Sequence, residues 1–267
     1  MAKSTKITEN LTEVQLVLFK YLADHEILYF KLEDLAVQLP EELTKNTNDL
    51  VEDLYQKGLL YRIERGIYAK PNYTNINVLA TFISPDGAIA YWSVLHHHGL
   101  TERFPNTTFV KTTQRKRETW ILGSSIRFVT IKEHKHIGMV REGYGDDSFL
   151  MTDVEMTLVD CFDQPSYAGD FADLIKAFAR ARLTNTKLME YTRTYDNTAL
   201  TKRLGYLATL FHQEKLQSFI NYAQAQVNER YSLMDAGGPQ QGEFISEWKL
   251  RLNIGRENLS QMAQTEY

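Results

Sequence analysis

The chain has 267 residues, of which 43% are hydrophobic and 24% charged, and its formal net charge is −4. These values are typical of a globular protein with one or two domains, and they exclude a disordered chain or a uniformly basic nucleic-acid coat protein. The single cysteine, Cys161, excludes an intrachain disulfide framework and a zinc site of the finger type. Without a secretory signal pattern or a long apolar run, we expect a soluble cytoplasmic protein without membrane contact.

Charge is distributed unevenly along the chain. Residues 103–136 contain eight basic and two acidic side chains, whereas residues 137–173 contain one basic and nine acidic side chains. The two blocks either neutralise each other across a sheet or leave a basic face exposed for binding. The sequence leaves both interpretations open.

Three helical patterns occupy the first part of the chain. Thr12 and Gln15 form a capping box at the start of an amphipathic helix. A second, short helix spans residues 32–39 and ends at Pro40, and a third runs from residue 47 to a glycine stop at residue 58.

Two short strands follow the third helix. Residues 59–64 and 67–70 are rich in β-branched and aromatic side chains, and Arg65-Gly66 makes the turn between them. Three short helices followed by a hairpin predict a winged helix-turn-helix over residues 1–76. The alternative is a small helical domain used for protein contacts.

In a winged helix, the first turn of the third helix and the hairpin contact DNA. The predicted DNA-binding residues are therefore Thr44, Lys45, Asn46, Thr47, Asn48, Arg62, Arg65 and Lys70. The same helix also carries Asp49, Glu52 and Asp53. Because so few cations oppose these carboxylates, we expect useful affinity to require two copies or help from the basic segment 103–136.

Residues 77–267 predict a second, mixed domain with an antiparallel sheet and a helical C-terminal part. Helices are predicted over residues 77–83, 88–99, 153–162, 171–178, 186–195, 198–211 and 216–222, and strands over 109–113, 120–122 and 126–131. Residues 237–242 form a flexible break, and residues 243–253 add a strand or pack on the body. We expect the tail from about residue 255 to be frayed. The fold class is therefore α+β.

The basic segment predicts a binding face for DNA or a protein partner. Its members are Lys111, Arg115, Lys116, Arg117 and Arg127. Three of them are consecutive and lie between two predicted strands, which places them at an exposed hairpin tip. The alternative is that they only provide solubility or prevent pairing at a sheet edge.

The sequence predicts no catalytic residue, metal site or cofactor. The adjacent histidines 96–98 diverge by about 100° per residue on a helix and cannot converge on one ion. Cys161 falls on the apolar face of its helix and is expected in the core. Asp153 and Asp160 on that helix are expected to be solvated. Gly123-Ser124 resembles the opening of a nucleotidyltransferase site, but the strand that follows carries no carboxylates for magnesium.

Five short motifs, taken in order, resemble the AbiEi-type antitoxins of bacterial abortive-infection systems. They are Arg65-Gly66-Ile67-Tyr68, the run from Ala90 to Glu102, Thr112 to Arg117, Glu155 to Cys161, and Lys202-Arg203-Leu204-Gly205-Tyr206-Leu207. The resemblance extends from about residue 10 to about residue 253, and it rests on the order and spacing of the motifs.

The resemblance implies a transcriptional regulator of a type IV toxin–antitoxin operon. Its winged helix would bind inverted repeats in the double-stranded DNA upstream of the operon. The C-terminal domain would counter a nucleotidyltransferase-type toxin, without necessarily forming a stable complex with it. By position, the DNA-binding role falls on residues 44–48 and on the wing residues Arg62, Arg65 and Lys70. Two alternatives are a ligand-sensing winged-helix regulator and, less well supported, a nucleotidyltransferase-like enzyme.

Overall fold

The computed structural model describes residues 10–264 and has the expected α+β fold. A small helical unit with a three-stranded sheet comes first, followed by a six-stranded mixed sheet. A helical layer with a second three-stranded sheet covers one side of the larger sheet. The first nine residues of the predicted N-terminal domain and the last three of the tail lie outside the described residues.

The N-terminal unit has the element order of a winged helix. Its elements are α1 (Glu13–Asp24), β1 (Tyr29–Lys31), α2 (Leu32–Gln38), α3 (Glu41–Thr44), α4 (Thr47–Gln56), β2 (Tyr61–Glu64) and β3 (Ile67–Ala69). The three strands pair antiparallel in the order β1-β3-β2. The predicted capping box at Thr12 and Gln15 is confirmed. The three-residue β1 and the single-turn α3 were not predicted, because neither is long enough to show a period.

The winged helix has its own apolar core. Leu18 and Leu22 of α1 pack with Leu35 of α2 and with Val51 and Leu54 of α4. A polar contact also ties α1 to α4. The Gln15 amide donates to a carboxylate oxygen of Asp53 at 2.7 Å and accepts from the Lys57 ammonium at 2.6 Å.

The central sheet has the strand order β6-β7-β5-β4-β9-β8. Its strands are β4 (Ala88–Ile89), β5 (Thr107–Thr112), β6 (Thr119–Ile121), β7 (Ser124–Thr130), β8 (Met139–Glu142) and β9 (Phe149–Thr152). The helix α5 (Ile76–Phe82) precedes β4, and α6 (Trp92–His97) connects β4 to β5. The pairs β5–β7 and β4–β9 are parallel and the others antiparallel, so the sheet is mixed rather than purely antiparallel.

Two local predictions in this region are wrong. The helix expected over residues 88–99 begins only at Trp92, because Ala88 and Ile89 form the buried strand β4. Tyr91 then takes a positive φ of 57° between strand and helix. The three cations at 115–117 do not lie at the tip of a hairpin, because the strands before and after them are not neighbours in the sheet. Both β5 and β6 pair with β7, which lies between them.

The helical layer packs on the opposite face of the sheet from the wing. It consists of α7 (Val154–Asp163), α8 (Phe171–Arg180), α9 (Asn185–Tyr195), α10 (Thr198–Leu210), α11 (Gln217–Ala225) and α12 (Arg256–Gln264). The strands β10 (Ser232–Leu233), β11 (Glu243–Ile245) and β12 (Leu250–Leu252) form the small C-terminal sheet. Cys161 lies in the core here, as expected.

The predicted frayed tail is wrong for residues 256–264. They form α12, which packs on α8, and Leu259 is fully buried. The pattern was weak because Leu259 and Met262 make the apolar contact of this helix while most of its other residues are polar. No helix between residues 10 and 264 is both long and apolar enough to cross a membrane.

Candidate nucleic-acid interface

The connection between α3 and α4 and the first turn of α4 expose most of the predicted DNA-binding side chains of residues 44–48 to solvent. Thr44, Lys45, Asn46 and Asn48 are exposed. Thr47 is not, since it is only 3% exposed and its hydroxyl donates to the Leu43 carbonyl at 3.0 Å. The prediction that Thr47 contacts DNA is therefore wrong, because its hydroxyl is used to close the turn between α3 and α4.

Two of the three cations predicted on the wing make contacts within the protein. The Arg62 guanidinium lies 3.2 Å from a carboxylate oxygen of Glu52 and 4.4 Å from the centre of the Tyr55 ring, so it is held against α4. The Lys70 ammonium donates to the Leu22 carbonyl at 3.1 Å, near the C-terminal end of α1. Lys70 is thus turned toward α1 and its DNA contact stays a prediction, whereas Arg65 is exposed at the tip of the hairpin.

Asn48 and Arg65 face a common groove of about 570 Å³. Lys31 and Glu33 at the start of α2 line the same groove, and residues 82–85 form its far wall. The structure thus brings together one residue from α4 and one from the wing tip, as the sequence predicted. Lys31 was missed, because nothing in its local pattern marks it as a neighbour of the wing.

The outer face of α4 is not strongly basic. Asp49 and Glu52 lie beside the predicted contact residues, and the Glu52 carboxylate is partly neutralised by Arg62. Carboxylates that face the phosphate backbone reduce the affinity for DNA, whereas each cation that contacts a phosphate increases that affinity. Within residues 10–264, three cations without an ion pair, Lys31, Lys45 and Arg65, therefore lie at or beside this interface, with carboxylates close to them.

The other face of the wing packs against the central sheet. Ile63 and Ala69 share an apolar cluster with Val110 of β5 and Ile126 of β7. The Lys116 ammonium pairs with Glu64 at 2.7 Å. In addition, the Leu122 amide donates to the Tyr61 hydroxyl at 2.9 Å. This face of the wing is consequently closed to DNA.

A second contact joins the winged helix to the loop between β8 and β9. The Tyr29 hydroxyl donates to the Asp146 carbonyl at 2.8 Å, and the Tyr73 hydroxyl donates to the Asp147 carboxylate at 2.7 Å. Burial and the adjacent Asp147 carboxylate raise the pKa of Tyr73 well above its usual value. These bonds are kept over the physiological pH range, since the tyrosine hydroxyl stays protonated.

Lys111 is not part of a basic face. Its side chain is 0% exposed, and its ammonium lies 2.9 Å from a carboxylate oxygen of Asp160 and 2.9 Å from the Tyr195 hydroxyl. The Tyr195 hydroxyl also donates to Asp160. Burial raises the pKa of Asp160 and lowers that of Lys111, and in each case the partner's charge opposes the shift. The predictions for Lys111 and for a solvated Asp160 are both wrong.

A second ion pair extends this buried network toward the surface. The Lys135 ammonium lies 2.6 Å from the Asp163 carboxylate, which also accepts from the Asn197 amide at 2.8 Å. Part of the charge of the basic block is therefore neutralised by the acidic block, as one of the two open interpretations held, although the contacts are made with α7 rather than across the sheet. The local sequence pattern could not predict these ion pairs, because the partners are up to 49 residues apart in the chain.

The remaining members of the predicted basic face behave differently from Lys111. Lys116 points inward to Glu64 and to the Ile83 carbonyl, at 2.7 Å from each. Arg115, Arg117 and Arg127 are exposed, and Arg127 lies 5.1 Å from the centre of the Tyr167 ring. The basic face is thus reduced to three arginines.

The Gly123-Ser124 pair lies in the connection between two adjacent strands. Gly123 has a φ of 82° and forms the tight turn between β6 and β7, and Ser124 begins β7. Among residues 10–264, no three histidine, cysteine or acidic side chains meet in a way that suits a metal ion.

The motif at residues 202–207 holds the C-terminal sheet in place. The buried Lys202 ammonium donates to the carbonyls of Arg230 and Lys249, and Arg203 donates to the Leu233 carbonyl. A Cβ at Gly205 would come within 2.5 Å of the Trp248 ring. In this chain the motif therefore packs the interior and is not exposed for binding.

No protein-family model matches the chain, and no curated protein resembles it. Among solved structures, the chain is similar to the crystal structure of the Rv2827c protein from Mycobacterium tuberculosis. The TM-score is 0.63 at 16% sequence identity, and the alignment covers 90% of this chain and 91% of that one. At this identity the similarity shows that the fold is shared over nearly the whole length of both proteins.

Proposed function

We propose that this protein is a DNA-binding antitoxin of the AbiEi type. It represses its own toxin–antitoxin operon through the winged helix and counters a nucleotidyltransferase-type toxin in phage defence. The partners are inverted repeats in upstream duplex DNA and the cognate toxin, and the protein acts in the cytoplasm without catalysis, metal or cofactor. The observation that carries the proposal is that Asn48 in the first turn of α4 and Arg65 at the wing tip line one open groove.

The contact residues proposed are Lys45, Asn46 and Asn48 of the α4 region and Arg65 of the wing, with Thr44 at the edge. Asparagine pairs well with adenine through N6 and N7 in the major groove, and the two cations suit phosphates. Arg62 takes part only if it leaves Glu52. Because one copy offers few phosphate contacts, the active form on an inverted repeat is a pair of molecules, one on each half-site.

The first test is a binding competition between the upstream DNA of the operon and a scrambled duplex. At about 0.15 M salt, where non-specific binding is weak, we expect a clear preference for the upstream DNA. Equal affinity for both duplexes contradicts the repressor function. The antitoxin function is tested separately by co-expression with the neighbouring gene, where failure to relieve toxicity contradicts it.

A second candidate function is a winged-helix regulator that senses a small molecule. The groove of about 570 Å³ beside Asn48 and Arg65 favours it, because a ligand there would alter the DNA-contacting residues directly. An effector that changes DNA affinity in the wild type but not in a groove variant such as Phe82→Ala would favour this function over the first.

A further inference from the structure

The edge of the central sheet at β6 carries an exposed aromatic side chain among arginines. Trp120 is 64% exposed, whereas Trp248 is 1% exposed and Trp92 is partly buried. A tryptophan left open to water on an edge strand is unusual, because burial of its ring is strongly favourable.

Strand pairing places Arg127 beside Trp120. Trp120 lies opposite Ser125 in the antiparallel pair β6–β7, and Arg127 follows Ser125 by two residues on the same face. Such diagonal neighbours are roughly 7–8 Å apart, within reach of long side chains. Arg127 stacks on Tyr167 and makes no ion pair with any residue between 10 and 264.

The segment before β6 carries two more exposed cations. Lys116 is pinned inward by Glu64 and the Ile83 carbonyl, and its neighbours Arg115 and Arg117 are exposed. Neither arginine pairs with a carboxylate of a described residue. The carboxylate of Glu118 in this segment accepts a hydrogen bond from the Ser125 hydroxyl at 2.7 Å.

We propose that Trp120, Arg127, Arg117 and Arg115 form a binding surface for single-stranded nucleic acid. An unpaired base stacks on the exposed indole, and the three guanidinium groups contact the backbone phosphates. Stacking on a lone aromatic ring surrounded by cations is how proteins hold single strands without sequence preference.

Two features favour a nucleic acid over a protein partner. The surface has one large exposed apolar side chain rather than the contiguous apolar patch found at the centre of protein interfaces. Its charge is also predominantly basic, since three arginines stand against the single carboxylate of Glu118. This site is separate from the α4 and wing residues, so it does not depend on the proposed repressor function.

Trp120 also provides the readout, because it is the most exposed of the three tryptophans. The experiment titrates the full chain with a short single-stranded oligouridylate at low salt and follows tryptophan fluorescence and the anisotropy of a labelled oligonucleotide. We expect saturable quenching, and an affinity that falls with salt with a logarithmic slope of about −2 for three arginines.

The matched variants are Trp120→Ala and Tyr144→Ala. Tyr144 is 94% exposed at the opposite edge of the same sheet, in an acidic turn. We expect Trp120→Ala to weaken oligouridylate binding about tenfold and Tyr144→Ala to leave it unchanged. Trp120→Phe should keep an intermediate affinity, and Arg127→Ala should reduce the salt slope by about 0.7.

Two results overturn the proposal. One is the absence of saturable oligouridylate binding by the wild-type protein. The other is equal affinity of the wild type and Trp120→Ala, with binding lost instead in Lys45→Ala/Arg65→Ala, which would locate the single strand on the winged helix. If the upstream duplex shows no preference but Trp120→Ala still weakens oligouridylate binding, the repressor function fails and this surface stands.

Discussion

The pair Lys111 and Asp160 makes the interior of this protein sensitive to single substitutions. Both side chains are almost completely buried, so loss of one partner leaves the other as an uncompensated charge. We expect Lys111→Met or Asp160→Asn to lower the free energy of unfolding by about 3–5 kcal/mol. The double variant Lys111→Met/Asp160→Leu should recover much of that loss in urea unfolding. Equal destabilisation by the double variant and the two single variants would contradict a dominant role for the unpaired charge.

Gly205 is required for packing rather than for backbone freedom. A Cβ there meets the Trp248 ring at 2.5 Å and Ala223 at 2.6 Å. Overpacking of this kind costs about 1–3 kcal/mol, which we expect for Gly205→Ala in chemical unfolding. The control is Gly237→Ala, where the nearest atom is 3.6 Å away. If both variants are equally stable, the contact with Trp248 is not restrictive.

His98 gives the folded state a dependence on pH. Burial lowers its pKa below the usual value, and its ring lies 3.2 Å from the Thr152 carbonyl. The unfolded chain therefore takes up a proton near pH 6.5, at a higher pH than the folded chain does. Stability from neutral His98 is fully present above that pH and is lost as the pH falls toward the lowered folded pKa.

We expect the melting temperature to fall between pH 6.5 and pH 5, and the fall to be smaller in His98→Gln. The exposed His212 supplies the control variant His212→Gln. A melting temperature that changes with pH to the same extent in His98→Gln and in the wild type would contradict the role assigned to His98.

At the scale of elements, α12 is an integral part of the helical layer. Leu259 is fully buried and α12 packs on α8. Truncation of a buried leucine to alanine costs about 2–5 kcal/mol, so we expect that loss for Leu259→Ala in thermal or urea unfolding. Glu257→Ala, at an exposed position of the same helix, should change stability by less than about 0.5 kcal/mol. A neutral Leu259→Ala would mean that the tail is frayed after all.

The sequence was most informative where helices have a full amphipathic period. The helices α1, α4, α8, α9 and α10 were predicted within a few residues of their observed limits. The wing was found because Arg65-Gly66 separates two short apolar runs. Short elements without a period were missed, as with β1, or assigned wrongly, as when β4 was taken for the start of a helix.

The candidate site was predicted only in part, because its geometry depends on contacts between distant segments. Residue type and local spacing correctly predicted that Lys45, Asn48 and Arg65 are exposed to solvent. They did not indicate that Glu52 would hold Arg62 or that the Leu22 carbonyl would take Lys70. Lys111 was misplaced for the same reason, since a lysine in a strand is usually exposed and its buried partner Asp160 lies 49 residues away.

At the scale of the whole molecule, the two faces of the wing have different surroundings. One face is packed on the central sheet and the tip remains exposed beside α4. The β6 edge, with its arginines, is attached to the wing through Lys116 and Tyr61. A partner bound at that edge would therefore lie one packing layer away from the residues proposed to contact DNA.

The central claim is that Lys45 and Arg65 carry DNA binding while Arg62 is held by Glu52. The most direct measurement is the affinity for upstream duplex DNA across a salt series, for the wild type, Lys45→Ala, Arg65→Ala and Arg62→Ala. Each substitution removes one phosphate contact from each of the two molecules on the inverted repeat, so we expect Lys45→Ala and Arg65→Ala each to reduce the logarithmic salt slope for binding of the pair by about 1.8. Arg62→Ala should leave the slope nearly unchanged. A wild-type slope near zero, or a slope that only Arg62→Ala reduces, would contradict the account.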